Sequence, residues 1–180
     1  MRYLLVLALA LVAGVVTPSA TRAQAVPEAR LKAILAMSPQ EMAETGAWTR
    51  SAYERMLGYV YGIQDPATRA LVLEMVTKPE TKMFKAKATQ SFLASPAAGG
   101  KGHHYYPGGL PVHALEWIEV AMAWADTYER VYKVKKLNRD MIVAALILHD
   151  WAKVWYEWDD KTATVVKPQW YPQSWGGDKG

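Results

Sequence analysis

The sequence predicts an all-α helical bundle with one small β-hairpin near its C-terminal end. Three observations carry that prediction. Apolar residues recur at helical spacing through most of the body. Two helix starts are written as a capping residue followed by proline, Ser38-Pro39 and Asp65-Pro66. The run Met141-Ile142-Val143-Ala144-Ala145-Leu146-Ile147-Leu148 is apolar on every side, which predicts a central, buried helix.

In chain order, residues 27–37 read as a short amphipathic helix. Ser38-Pro39-Gln40-Glu41 is a capping box with proline at the first helical position, and it starts a new helix. Residues 48–63 place Trp48, Tyr53, Met56, Leu57 and Val60 at helical spacing. Asp65-Pro66 opens a helix over 66–77 with Leu71, Val72 and Met75 inward. Pro79 interrupts the chain, and 81–93 reads as a basic helix with Met83, Phe84 and Leu93 on its apolar side. Its Lys82, Lys85 and Lys87 read as a solvated face. Residues 95–109 form the main loop, rich in Pro and Gly, and carry His103, His104, Tyr105 and Tyr106. A long loop inside a compact domain is more often functional than a short one. The longest helical run follows at 110–134, and Asn138 caps the apolar helix at 139–150. Residues 155–158 and 163–166 flank Asp159-Asp160-Lys161-Thr162 as a small β-hairpin.

The chain has 180 residues and no evident internal repeat, room for one domain with a real core. Half its residues are apolar, with eight Trp and ten Tyr, so the composition is globular rather than disordered. The first 25 residues read as a secretory signal: Arg2, an apolar stretch at 3–16, and Ala23-Gln24-Ala25 before the cleavage point. The apolar stretch is shorter than the roughly 20 residues of a spanning helix. An exported, periplasmic protein starting at Val26 is therefore expected, with an uncleaved anchor as the alternative. Removing Arg2 and Arg22 leaves 19 basic residues against 17 acidic ones. That balance is too weak to argue for nucleic acid or an anionic membrane as partner. There is no cysteine, hence no disulfide framework and no thiolate metal site.

All four histidines, His103, His104, His113 and His149, lie within 103–150. His149 is followed at once by Asp150 at the end of the apolar helix, with Lys153 one turn beyond. Imidazole with carboxylate suits borderline divalent metals such as Mn, Fe, Co, Ni or Zn. His113 opens the long helix 36 residues earlier, and two neighbouring helices can bring it beside the His149-Asp150 pair. A buried Asp150 is costly without a cation or donor partner. The bland alternative is a helix C-terminus satisfied by an imidazole near the negative end of its dipole.

The pattern His113…His149-Asp150 with Lys153, and the stretch His104-Tyr105-Tyr106-Pro107-Gly108-Gly109-Leu110-Pro111-Val112-His113, resemble the HD-domain superfamily of metal-dependent phosphohydrolases. The resemblance covers roughly 102–156. It implies an HD-like bundle with the metal-binding core at 95–180, which follows the signal peptide read at 1–25 and an N-terminal helical region at 26–94. It implies His113, His149 and Asp150 as metal ligands, and a divalent cofactor among Mn, Fe, Co, Ni and Mg. It places Lys153 near a substrate phosphate, and His104 and His103 at positions able to hold phosphate or a second metal, with a solvated loop pair as their alternative. The implied reaction is hydrolysis of a phosphomonoester or phosphodiester, nucleotide-like substrates included, with Lys153 and His104 assisting. The partner is then a small-molecule phosphoester rather than nucleic acid. The family closes its metal shell with a distal aspartate. Only Asp159, Asp160 and Asp178 follow Asp150, and none lies on an apolar helix, so a sequence truncated before that ligand is expected. Two other readings stay open: a non-catalytic metal- or ligand-binding module, and a di-iron oxygenase, which needs more histidine ligands than the spacing places.

Overall fold

The computed structural model describes residues 27–79, 88–99, 102–159 and 164–166. Among these residues the regular structure is helical apart from one antiparallel strand pair, in accord with the all-α expectation. The order is α1 (Glu28–Leu35), α2 (Pro39–Thr45), α3 (Ala47–Gly62), α4 (Pro66–Thr77), α5 (Gly109–Tyr132) and α6 (Arg139–Leu148). A 3₁₀ turn (Trp151–Trp155) and strands β1 (Glu157–Asp159) and β2 (Thr164–Val166) follow. No helix among the described residues is long and apolar enough to cross a membrane. The expected signal segment, Lys82, Lys85, Lys87, Asp160 and Asp178 lie outside the described residues.

The helix starts follow their sequence signals. Glu41 N–H donates to Ser38 Oγ at 3.2 Å and Ser38 N–H to Glu41 Oε2 at 2.8 Å, closing the capping box. Asp65 Oδ2 accepts Thr68 N–H at 2.7 Å, and Asn138 Oδ1 accepts Met141 N–H at 3.0 Å. Asp140 Oδ2 accepts the N–H groups of Gln64 and Asp65, which ties the α3–α4 turn to the start of α6. Arg139 bridges back to Asp126 and Glu129 on α5.

One core joins α3, α4, α5 and α6. Met56 and Val60 of α3, Val72 and Val76 of α4, Leu110, Val112 and Ile118 of α5, Ile147 of α6, and Val154, Trp155 and Tyr156 form a single buried cluster. Burying a side chain of this size stabilises the fold by about 1.5–3 kcal/mol.

Several expectations are corrected. The short helix expected at 27–37 is present as α1, and it buries no residue. Trp48 is 62 % exposed because Thr49 takes the inward position in that turn, its hydroxyl donating to the Ala43 carbonyl at 2.8 Å. Leu71 is exposed while Val72 and Val76 face the core: one residue along a helix rotates a side chain by about 100°. Of the basic helix expected at 81–93, the described residues 88–93 are not helical. Thr89 and Gln90 instead donate their N–H groups to the Val154 carbonyl, and Phe92 is fully buried. α6 ends at Leu148 and is not buried all round: Val143, Ala144 and Ile147 face inward, whereas Met141 is 60 % exposed. It touches α3, α4 and α5 from one side, and that geometry leaves its outer row in water. The hairpin pairs Glu157 with Val166, Trp158 with Val165 and Asp159 with Thr164, so it starts two residues later than expected. The 3₁₀ turn occupies the preceding residues.

Candidate metal centre

Among the described residues, the first turns of α5 are the most deeply set helical segment. Every residue from Gly109 to Leu115 is buried, His113 among them at 6 % exposure. The preceding loop satisfies the N–H groups that open this helix. Ala94 accepts from Gly108 at 3.2 Å and Ser95 accepts from Leu110 at 2.9 Å. Gly108 adopts φ +84°, and a Cβ there would meet the Thr49 side chain. Pro111, in the first turn, removes an N–H that needs no intrahelical partner.

His149 follows the last residue of α6. Its Nδ1–H donates to the Leu146 carbonyl at 2.7 Å. That bond fixes the neutral tautomer and leaves the Nε2 lone pair free to bind a ligand. Lys153 N–H donates to the Asp150 carbonyl at 2.9 Å, and the adjacent Trp151 Nε1–H donates to the Met75 carbonyl at 2.7 Å. His113 Nε2 lies 3.4 Å from Asp150 Oδ2, and His149 Nε2 lies 3.5 Å from the same oxygen. Lys153 Nζ is 3.9 Å from Asp150 Oδ1 and 4.9 Å from the Tyr156 ring centre. Burial pushes the Asp150 carboxyl up. The hydrogen bond from His113 and the charges of Lys153, His149 and His113 outweigh it, so the group sits below the usual carboxylate range.

These atoms fit a divalent ion. Ligands about 2.0–2.2 Å from one tetrahedral or octahedral centre stand about 3–3.5 Å from each other. The two spacings from Asp150 Oδ2 match that edge, and all three ligand atoms lie within 4.8 Å of one another. Two imidazoles and a carboxylate are a donor set for first-row metals.

The loop histidines are part of the same cluster. The His103 and His113 ring centres are 4.8 Å apart, His104 and His113 5.5 Å, and His113 and His149 5.4 Å. His103, His104 and His113 form a second group whose ligand atoms lie within 4.8 Å of one another. His104 has φ +53°, an uncommon conformation for a residue with a side chain. Its carbonyl accepts Ala97 N–H at 2.9 Å and presses on Gly109, where any Cβ would collide with it. Nε2 of His104 lies 3.2 Å from Glu116 Oε2. Burial, then the neighbouring His113 and His104, hold His103 below the usual imidazole range, which favours its neutral, ligating form.

Sequence reasoning singled out every histidine here, and Asp150 and Lys153. It missed Glu116, the Leu146 carbonyl and the contact of Gly109 with His104. Glu116 had a signal: it lies three residues after His113, on the same face of α5. Asp160 and Asp178 lie outside the described residues, as does the side chain of Asp159.

A cleft of 450 Å³ opens over this cluster, lined by His103, His104, His113, Glu116, Trp117 and Val120. Its size suits a small-molecule ligand. A larger cleft of 710 Å³ lies between α2 and β1, and among the described residues its ionisable lining residues are Lys78 and Glu157. Chemistry therefore favours the smaller one.

The chain is 33 % identical over 97 residues to the dihydroneopterin 2',3'-cyclic phosphate phosphodiesterase of Methanocaldococcus jannaschii, covering 54 % of this chain and 39 % of that protein. It is 32 % identical over 101 residues to the 3'-5' exoribonuclease YhaM of a Geobacillus species, covering 56 % and 26 %. For the Bacillus subtilis YhaM the identity is 31 % over 96 residues, covering 53 % and 26 %. The chain thus matches between about a quarter and two fifths of the length of these curated relatives. No family model matches it, and no solved structure matches it. The relatives are HD-domain phosphohydrolases, and the resemblance read from the sequence is to that superfamily.

Proposed function

We propose that the chain is a divalent-metal-dependent phosphohydrolase acting on a small phosphodiester, with His113, His149 and Asp150 as the residues that would hold the metal. The observation that carries the proposal is the convergence of His113 Nε2 and His149 Nε2 on Asp150 Oδ2 at 3.4 and 3.5 Å. The relatives support the reaction type, since one is a cyclic phosphate phosphodiesterase and the others are exoribonucleases. A diester is favoured over a monoester for the same reason.

Bound in this centre, a divalent ion supplies Lewis-acid polarisation of a phosphoryl oxygen and lowers the pKa of a coordinated water. The protein's own groups do the rest. The Leu146 carbonyl orients His149, and burial in α5 immobilises His113. Lys153, with its ammonium 3.9 Å from Asp150, contributes positive charge for a phosphate oxygen. His104 and Trp117 line the cleft through which a substrate reaches the centre. Export from the cytoplasm belongs to the same proposal and directs attention to phosphoesters met outside it.

The test is hydrolysis of a 2',3'-cyclic nucleotide, bis(p-nitrophenyl) phosphate, p-nitrophenyl phosphate and a short RNA, with Mn, Co, Ni or Mg and with chelator. Diester cleavage abolished by chelator supports the reading. RNA cleavage in preference to the small diesters would replace the small-molecule substrate with nucleic acid, as in the exoribonuclease relatives. Metal binding without turnover on any of the four would favour a non-catalytic module. Four clustered histidines also supply ligands that a di-iron oxygenase needs. Oxygen uptake by the iron-loaded protein is the observation that would favour that second reading.

A further inference from the structure

We infer that a second copy of this chain docks on the outer face of α5, with the two α5 helices running antiparallel. Trp117, Val120, Trp124, Tyr128 and Val131 recur at steps of three and four along that helix. Such steps confine them to about 80° of arc, turned away from the row that buries Ile118 and Ala125. All five are exposed, Trp124 at 71 %, and exposed Tyr132 adjoins them. The Tyr128 ring stands 6.1 Å from that of Trp124 and 4.7 Å from that of Tyr132, so the aromatic side chains form one continuous row. A contiguous apolar patch of this kind marks an interaction site.

Charge on the flank of the row selects a second copy and its direction. Half-exposed Glu116 and exposed Arg130 lie on the same side of the row, about 21 Å apart along the axis, one towards each end. A two-fold axis across α5 near Trp124 sets each flank against the same flank of the partner with its direction reversed. Glu116 then meets the partner's Arg130, and the contact occurs twice. A parallel pair would set each flank against the opposite one and lose both contacts. The spacing of Trp117, Trp124 and Val131 by seven suits the seam of two paired helices. The area is adequate as well. At about 200 Å² per aromatic side chain, the exposed parts of Trp117, Trp124, Tyr128 and Tyr132 amount to roughly 450 Å². Val120, Val131 and the polar flank bring the face towards the roughly 800 Å² per partner of a standard interface. Trp117 and Val120 also line the cleft beside His113, so the partner's α5 would extend one wall of that cleft. The pairing does not depend on metal binding.

The experiment is sedimentation equilibrium of the untagged full chain across the low- to high-micromolar range. Trp124→Glu, Arg130→Glu and the double variant Arg130→Glu with Glu116→Arg accompany the wild type, and circular dichroism checks that each folds. The expected result is a concentration-dependent wild-type dimer. Trp124→Glu sets like charges against each other at the two-fold axis and should be monomeric. Arg130→Glu should raise the dissociation constant by about 10-fold or more, and reversing both charges in the double variant should bring it back towards the wild-type value. A wild-type monomer throughout the range would overturn the inference. Association that Trp124→Glu leaves intact would overturn it too, because the contact would then lie elsewhere on the chain. A dimer lost in Trp124→Glu but not weakened by Arg130→Glu, or not restored in the double variant, would overturn the antiparallel pairing.

Discussion

The two groups of histidines share His113 and are held in place by opposite means. His113, His149 and Asp150 stand on helical backbone or immediately after it. Their positions follow from buried turns, from α5 packing on α6, and from one side-chain bond to the Leu146 carbonyl. His103 and His104 stand on a loop. Their position follows from a left-handed residue, the Ala97 N–H and the absence of a side chain at Gly109. The helical group is therefore broken by losing a ligand or the core beneath it. The loop group is broken by adding one methyl to the backbone that carries it.

Three substitutions sharpen that contrast. Asp150→Asn removes the anionic ligand common to the His113 and His149 contacts, and should lower diester hydrolysis by more than about 100-fold while leaving the far-ultraviolet circular dichroism unchanged. Ile147→Ala empties a fully buried position on α6 two residues before His149. It should cost about 2–5 kcal/mol in denaturant unfolding and weaken metal binding through the helical group. Gly109→Ala drives a methyl into the His104 carbonyl, for about 1–3 kcal/mol of overpacking. Metal titration should then show binding by the helical group retained.

The smallest effect is remote from both groups. Hydrogen bonds from the Thr68 side chain and N–H hold the Asp65 carboxyl below its ordinary range in the folded chain. A carboxylate depressed by folding stabilises above its unfolded pKa, and that contribution disappears as pH falls through the folded value. Asp65→Asn keeps a capping oxygen and removes the titration. Its melting temperature should thus converge on the wild-type value as pH falls below the carboxylate range, and lie slightly below it at neutral pH.

Much of this contrast was legible in the sequence because it depends on spacing. Ser38-Pro39 and Asp65-Pro66 announced α2 and α4, and the observed caps carry the expected bonds. His149-Asp150 at the end of an apolar run, with His113 at the start of another, announced two helices bringing three ligands together. What sequence did not reveal depends on tertiary partners. Residues 88–93 look helical in isolation, yet the N–H groups of Thr89 and Gln90 are taken by Val154. The outer row of α6, including Met141, is exposed because its neighbours cover one side only, and composition cannot count neighbours. The loop glycines were legible as turn formers, but not Gly109 as the contact that holds the His104 carbonyl.

The most direct test of the central claim is a crystal structure of the chain grown with Mn²⁺, with anomalous diffraction used to locate the ion. The account predicts a peak about 2.0–2.3 Å from His113 Nε2, His149 Nε2 and an Asp150 carboxylate oxygen. A peak elsewhere, or His113 still hydrogen-bonded to Asp150 at saturating Mn²⁺ with no peak between them, would contradict it.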